Sequence, residues 1–152
     1  LSPMAFGQMK PLLEYLNSVD ELGTEEVFYA NYRCLSLFRM IADVTDGDPD
    51  ENSTRINGLV KESFDEVLEM TFPLWQLLKE DSSADAFYEN LAISLPPMID
   101  EYMILADGNL AKNGDYFIGE EFITGDVSVC NTLVRMERNA KQLKKELESE
   151  VG

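Results

Sequence analysis

Carboxylates dominate the residues that could carry chemistry in this chain. The sequence has no histidine, so the commonest general base and metal ligand is missing, and Ser–His triads and histidine zinc sites are excluded. Four acidic residues recur at helical spacing: Glu62, Asp65, Glu66 and Glu69. Paired carboxylates can act as acid and base in catalysis. Acidic residues at this spacing are more typical of a solvated helix face, which is the interpretation the pattern favours.

A second acidic group has the alternating spacing of calcium-loop ligands and consists of Asp46, Asp48 and Asp50. An EF-hand loop requires glycine where Glu51 stands and a bidentate glutamate where Asn57 stands, so the match fails. The sequence instead favours a helix start, with Asp48 as N-cap and Pro49 as the first helical residue. No metal site is predicted.

The charge balance excludes several classes of partner. The chain of 152 residues carries 12 basic and 29 acidic residues, a formal net charge of −17. Such a chain repels nucleic-acid phosphates and anionic membrane surfaces, so neither is predicted as a partner. The apolar runs are too short to cross a bilayer.

The two cysteines, Cys34 and Cys130, lie far apart in the sequence. Their spacing matches no metal-binding or redox motif. Reduced thiols in a cytoplasmic protein are therefore predicted.

Apolar patterning divides the chain into two parts. Short apolar runs at 12–16 and 27–30 flank a turn and predict the two strands of a hairpin. From Cys34 onward the apolar spacing is helical. It predicts a long helix that contains Pro73, a second that bends or restarts at Pro96 and Pro97, and a third that begins near Gly125. We therefore place a small β-rich domain at 1–43 and an all-helical domain at 44–152.

Several segments together carry a family resemblance. "FGQMKPLLEY" and "VFYANYRCLSLFRMIAD" resemble the second half of the thioredoxin-like domain of glutathione transferases, closest to the alpha and sigma classes. "DENSTRINGLVKESFDEVLEMTFPLW", "LPPMIDEYM" and "GDYFIGEEFITGDVSV" resemble that family's fourth, fifth and sixth helices. The resemblance implies an α+β fold: the C-terminal half of a thioredoxin-like domain, then the helical transferase domain. It also implies a chain that is incomplete at both ends.

The resemblance further implies a glutathione site. The loop that holds the tripeptide would consist of Gln8, Met9, Lys10 and Pro11, with a cis bond before the proline. Arg33 and Cys34 occupy the positions that hold the γ-glutamyl carboxylate in the family. Asp65, or Glu66, matches the residue that reaches across the dimer toward the γ-glutamyl amine. The family's thiolate-activating hydroxyl belongs to a strand that would precede Leu1, so no catalytic residue is assigned.

Two functions follow from this resemblance. The first is a cytoplasmic, homodimeric glutathione transferase that conjugates glutathione, its co-substrate, to small apolar electrophiles without a metal. The alternative is a non-catalytic transferase-like module used for structure or assembly. The missing catalytic residue, and Cys34 where the family has serine, favour the alternative. A sequence that begins with Leu1 instead of Met favours an incomplete enzyme, and the transferase is the preferred function at this point.

Overall fold

A computed structural model describes residues 9–151, and within that range the chain forms five α-helices and no strand. The helices are α1 (Leu12–Ser18), α2 (Thr24–Thr45), α3 (Glu51–Leu78), α4 (Ala84–Asn113) and α5 (Glu121–Val151). The predicted α+β fold with half a thioredoxin-like domain is therefore wrong for the described residues.

The predicted hairpin fails because both of its strands belong to helices. Run 12–16 lies in α1, and run 27–30 lies in the first turns of α2. A short continuous apolar run fits a buried strand and a buried helix equally well. Fifteen of the 22 residues of α2 are buried, so this helix is apolar on nearly every side and shows little alternation between apolar and polar faces.

Helix α2 forms the centre of the bundle, and α3 and α4 pack against it more extensively than against each other. Aromatic side chains join the three helices. The ring centroids of Phe28 and Trp75 are 6.3 Å apart, and those of Trp75 and Phe87 are 5.8 Å apart. The boundary predicted after Asp43 falls inside α2, two residues before that helix ends at Thr45.

The helix ends follow capping chemistry. Asp50 is the N-cap of α3, and its carboxylate accepts a hydrogen bond from the Ser53 backbone N–H at 3.2 Å. The predicted cap at Asp48 is wrong by two residues, because the Asp48 side chain instead accepts from the Asp50 N–H. Helix α4 ends at Asn113, and its C-cap residue Gly114 has a φ of +75°, in the left-handed region that favours glycine.

The prolines do not interrupt the long helices. Pro73 lies inside α3, and Pro96 and Pro97 lie inside α4, which continues through them instead of restarting. All three are exposed, so water can hydrogen-bond the carbonyls that lose their helical N–H donors. Among residues 9–151, no helix is both long and apolar enough to pass through a membrane.

Candidate functional site

The predicted glutathione loop lies at the start of the described chain. Gln8 is outside the described residues. Met9 packs partly buried against the core, and Lys10 is exposed. Pro11 precedes α1 as its N-cap residue, and no cis peptide bond occurs in the described part of the chain. The Lys10–Pro11 bond is therefore trans, and the predicted cis bond is wrong.

The other predicted ligands lie in different surroundings. Arg33 and Cys34 are in the core with no exposed surface, whereas Asp65 is on the outer surface of α3. Cys34 forms a disulfide with Cys130, so the prediction of reduced thiols is wrong. Arg33 and Cys34 are thus engaged inside the protein.

Arg33 belongs to a buried polar cluster, which we call the hub: Leu12, Tyr29, Arg33, Tyr102 and Asp126. Asp126 accepts hydrogen bonds from Arg33 Nη2 at 2.7 Å, from the Tyr102 hydroxyl at 2.5 Å and from the Leu12 backbone N–H at 2.7 Å. Arg33 also donates from Nε to the Tyr102 oxygen at 3.0 Å and from Nη1 to the Tyr29 oxygen at 3.3 Å. The hub therefore ties α1, α2, α4 and α5 together.

The hub keeps its guanidinium charged. Burial by itself lowers the pKa of Arg33, but Tyr102, Tyr29 and Asp126 outweigh it and raise that pKa above its usual range. The guanidinium carbon also lies 5.5 Å from the centroid of the Tyr102 ring and 5.8 Å from that of Phe122, within cation–π range. Because its side chains are buried and paired, the hub stabilises the fold and offers no group to a substrate.

The disulfide adjoins the hub. Cys34 follows Arg33 on α2, Cys130 lies one turn after Asp126 on α5, and the two cysteine Cα atoms are 5.5 Å apart. The same turn of α2 is thus linked to α5 by an ion pair and by a covalent bond. The sequence signal for this arrangement is an Arg-Cys pair on one helix and an Asp-x-x-x-Cys pattern on another. It becomes informative once the two helices are known to be neighbours.

Two buried tyrosines make the free energy of unfolding depend on pH in the alkaline range. Burial raises the pKa of Tyr102 and of Tyr32 above the usual 10, so the unfolded chain loses these protons first. Their contribution to stability is complete below pH 10 and is lost as the pH rises toward the folded-state pKa. We expect urea denaturation to show a loss of about 1 kcal/mol per tyrosine between pH 10 and 11. Tyr32→Phe should lose about half of that dependence, and an unchanged slope in this variant would contradict the assignment.

An open groove runs between α3 and α4, which we call the α3–α4 groove. Its central part has a volume of about 390 Å³ and an apolar lining that includes Phe64, Leu68, Leu91, Leu95 and Ile99. A recess of about 420 Å³ adjoins one end and shares Arg39, Asp43 and Phe64 with it. A smaller apolar recess, lined by Phe72 and Phe87, adjoins the other end and shares Leu68 and Tyr88.

Charged side chains surround the first of these recesses. Arg39 pairs with Asp43 at 3.2 Å, and Lys61 pairs with Asp46 at 3.4 Å. Asp65 lines the same recess and takes part in no ion pair with another described residue. The groove therefore combines an apolar centre with one carboxylate available to a ligand cation.

Metal ligands are not grouped anywhere in the described part of the chain. Between residues 9 and 151, no three side chains of His, Cys, Asp or Glu lie close enough together to hold a metal ion. Asp46 and Asp50, from the calcium-like spacing, serve instead as an ion-pair partner and a helix cap.

No known protein family, curated protein or solved structure matches this chain.

Proposed function

We propose that this chain is a non-catalytic binding module that holds an elongated apolar molecule with a cationic group in the α3–α4 groove. The observation that carries the proposal is an apolar groove that meets the carboxylate of Asp65 at one end. Burial of an alkyl chain contributes about 0.8 kcal/mol per methylene, so the apolar centre supplies most of the affinity. Asp65 and the net charge of −17 select a cation.

The size of the groove suits such a molecule. Ligand pockets in proteins are typically about 300–1,000 Å³, a range that the central part alone reaches. Lys61 and Phe72 mark the two ends of the groove on α3. At 1.5 Å per residue they are about 17 Å apart along the helix. A medium-length alkyl chain fits this dimension better than a compact molecule does.

The absence of catalysis is proposed from the state of the polar groups. The acid and the tyrosines of the hub are buried and bonded to one another. Arg39 and Lys61, the cations at the groove, are each paired with an aspartate. Because the sequence has no histidine, the groove lacks the commonest general base, and Asp65 is left to bind a cation.

Conjugation of glutathione, the other function suggested by the sequence, stays a prediction. The fold that would carry the glutathione site does not occur in residues 9–151. Arg33 and Cys34, which were predicted to hold the γ-glutamyl carboxylate, are buried and bonded elsewhere. We therefore favour the non-catalytic alternative, without its transferase-like fold.

The disulfide supports a proposal about location. Disulfides form and persist in oxidising compartments and are rare in the cytoplasm. Cys34 and Cys130 are both without exposed surface, and their bond joins two helices far apart in the chain. We propose an oxidising compartment as the working location, in place of the cytoplasm predicted from the sequence.

Calorimetry with two probes of equal chain length tests the ligand proposal. We expect dodecylammonium, below its micelle concentration, to bind at least about tenfold more tightly than dodecanoate, because one head group is attracted and the other repelled. Asp65→Asn should weaken dodecylammonium binding about threefold, as for an exposed ion pair. The matched control, Asp107→Asn on the exposed surface of α4, should bind like the unmodified protein.

Other outcomes would refute particular parts of the proposal. Equal binding of dodecanoate would refute cation selection, and binding of neither probe would refute the apolar groove as a site. Ile99→Lys places a cation in the groove lining and should abolish dodecylammonium binding. Glutathione binding at millimolar concentration would instead favour the transferase prediction.

A further inference from the structure

The second half of α5 extends beyond the core. Val134 is the last buried residue of this helix, which continues to Val151. The extension contains an apolar row: Met136, Ala140, Leu143, Leu147 and Val151. Spacings of four, three, four and four residues place this row on one helix face. We call it the α5 stripe; Leu143 and Leu147 in it are 56% and 54% exposed.

The α5 stripe faces away from the bundle. Arg138 pairs with Glu66 at 2.8 Å and Lys141 pairs with Glu69 at 3.1 Å, so α3 lies against the side of α5 that carries these two cations. At 100° per residue, Arg138 lies opposite the centre of the stripe. A helix with an exposed apolar row gains most of its stability from a partner that covers the row.

We propose that the α5 stripe docks a second copy of this chain, with the two α5 helices antiparallel. In the register that aligns both stripes, Met136 of each copy packs against Leu147 of the other, and Ala140 against Leu143. From Met136 to Leu147 the seam follows the alternating four- and three-residue spacing of a coiled coil. This inference uses a different surface from the α3–α4 groove and does not rest on the proposed ligand.

Charges beside the stripe favour this partner and this orientation. Lys144 and Glu137 lie on one edge, and Glu146 and Glu150 lie on the other. In the antiparallel register, Lys144 of one copy faces Glu137 of the second, and Glu137 of the first faces Lys144 of the second. Each copy therefore supplies the charges that complement the other.

A parallel pair lacks this complementarity. In register, Lys144 of one helix would meet Asn139 of the other, and Glu146 would meet Val151. Neither contact joins opposite charges. The edge charges thus select the antiparallel arrangement.

Sedimentation equilibrium of the full chain tests whether the α5 stripe is a dimer surface. A salt concentration of about 0.15 M screens the repulsion between two acidic copies. We expect a concentration-dependent dimer for the unmodified protein and a monomer for Leu143→Glu. The matched control is Leu59→Glu, which adds the same charge at a half-exposed leucine on α3 and should leave the dimer unchanged. Circular dichroism should show that both variants remain folded, since both positions are exposed.

Charge exchange tests the orientation. Lys144→Glu and Glu137→Lys should each weaken the dimer about tenfold, because two pairs become repulsive at once. The double variant should restore it. Within one helix the two positions are about 10 Å apart, so rescue reports a contact between copies. The α5 stripe is not the dimer surface if the unmodified protein is monomeric at high micromolar concentration, or if Leu59→Glu disrupts the dimer as much as Leu143→Glu does. The antiparallel register is wrong if the double variant does not restore the dimer.

Discussion

Asp126→Asn is expected to lower the free energy of unfolding by about 3–5 kcal/mol, because it leaves the Arg33 guanidinium buried without its counter-charge. Asp126 is 1% exposed and accepts hydrogen bonds from three groups on three other helices. The N–H₂ group of the asparagine amide would lie beside the guanidinium, so that two hydrogen-bond donors would face each other. Urea denaturation at neutral pH measures the loss. The control Asp107→Asn changes an exposed aspartate and should alter the free energy by less than about 0.5 kcal/mol.

Hydrogen exchange distinguishes a specific effect of the hub on α1 from a general loss of stability. The Asp126 carboxylate accepts from the backbone N–H of Leu12, the first residue of α1. Helix α1 has only seven residues and makes few other contacts, so it should detach before the rest unfolds. We expect amides of α1 to lose nearly all their protection in Asp126→Asn, whereas those of α2 lose only the protection that corresponds to the global loss of stability. Equal loss in both helices would show that Asp126 does not act specifically on α1.

The long helices could be predicted because their apolar periodicity is local. Helix α3 buries one side against α2, so its sequence repeats at helical spacing. Helix α2 could not be assigned in the same way at its start, since Phe28, Tyr29 and Ala30 are buried together on successive faces. Its short apolar run looks like a buried strand until its neighbours are known.

The hub could not be predicted from the sequence, for a different reason. Arg33 and Asp126 are 93 residues apart, and nothing in either segment indicates that the other lies beside it. Arg33 was predicted as a glutathione contact because Arg33-Cys34 stands where the resembled family holds the γ-glutamyl carboxylate. The pairing follows only once α2 and α5 are packed together.

The apolar groove itself was not predicted from the sequence. The family resemblance assigned Asp65 to the γ-glutamyl amine across a dimer, which stays a prediction, and in the structure Asp65 lines the recess at one end of the groove. The apolar lining was not recognised, because residues such as Leu68, Leu91 and Ile99 have the spacing of core positions. They form a groove only because α3 and α4 contact each other so little. The sequence of neither helix alone predicts that arrangement.

The segment "GDYFIGEE" shows how little a local motif determines about the fold. The Asp115 carboxylate accepts hydrogen bonds from the backbone N–H groups of Phe117 and Ile118, at 2.8 and 2.6 Å. Gly119 then adopts a φ of +94°. These contacts shape a turn between two helices, and any protein that needs such a turn can use the same residues. Turn chemistry of this kind is local, so this segment by itself does not identify a fold.

Removal of the disulfide is expected to be the other large loss of stability. Cys34→Ala combined with Cys130→Ala should lower the free energy of unfolding by about 4 kcal/mol, because the bond closes a long loop in the unfolded chain. The sequence separation of its cysteines is 96 residues, which puts the entropic effect near the upper end for a single bond. Urea denaturation of the unmodified protein, with and without a reducing agent, provides the comparison.

The two losses should be close to additive, because they act on different states. The hub stabilises the folded chain, whereas the disulfide mainly destabilises the unfolded one. Asp126→Asn in the reduced protein should therefore lose about 7–9 kcal/mol, which is comparable to the whole stability of a typical domain of about 5–15 kcal/mol. We expect that protein to be largely unfolded without urea, whereas each single change leaves it folded. If the cysteine-free variant instead unfolds at the same urea concentration as the unmodified protein, the disulfide adds no stability, and the proposed oxidising compartment loses its main support.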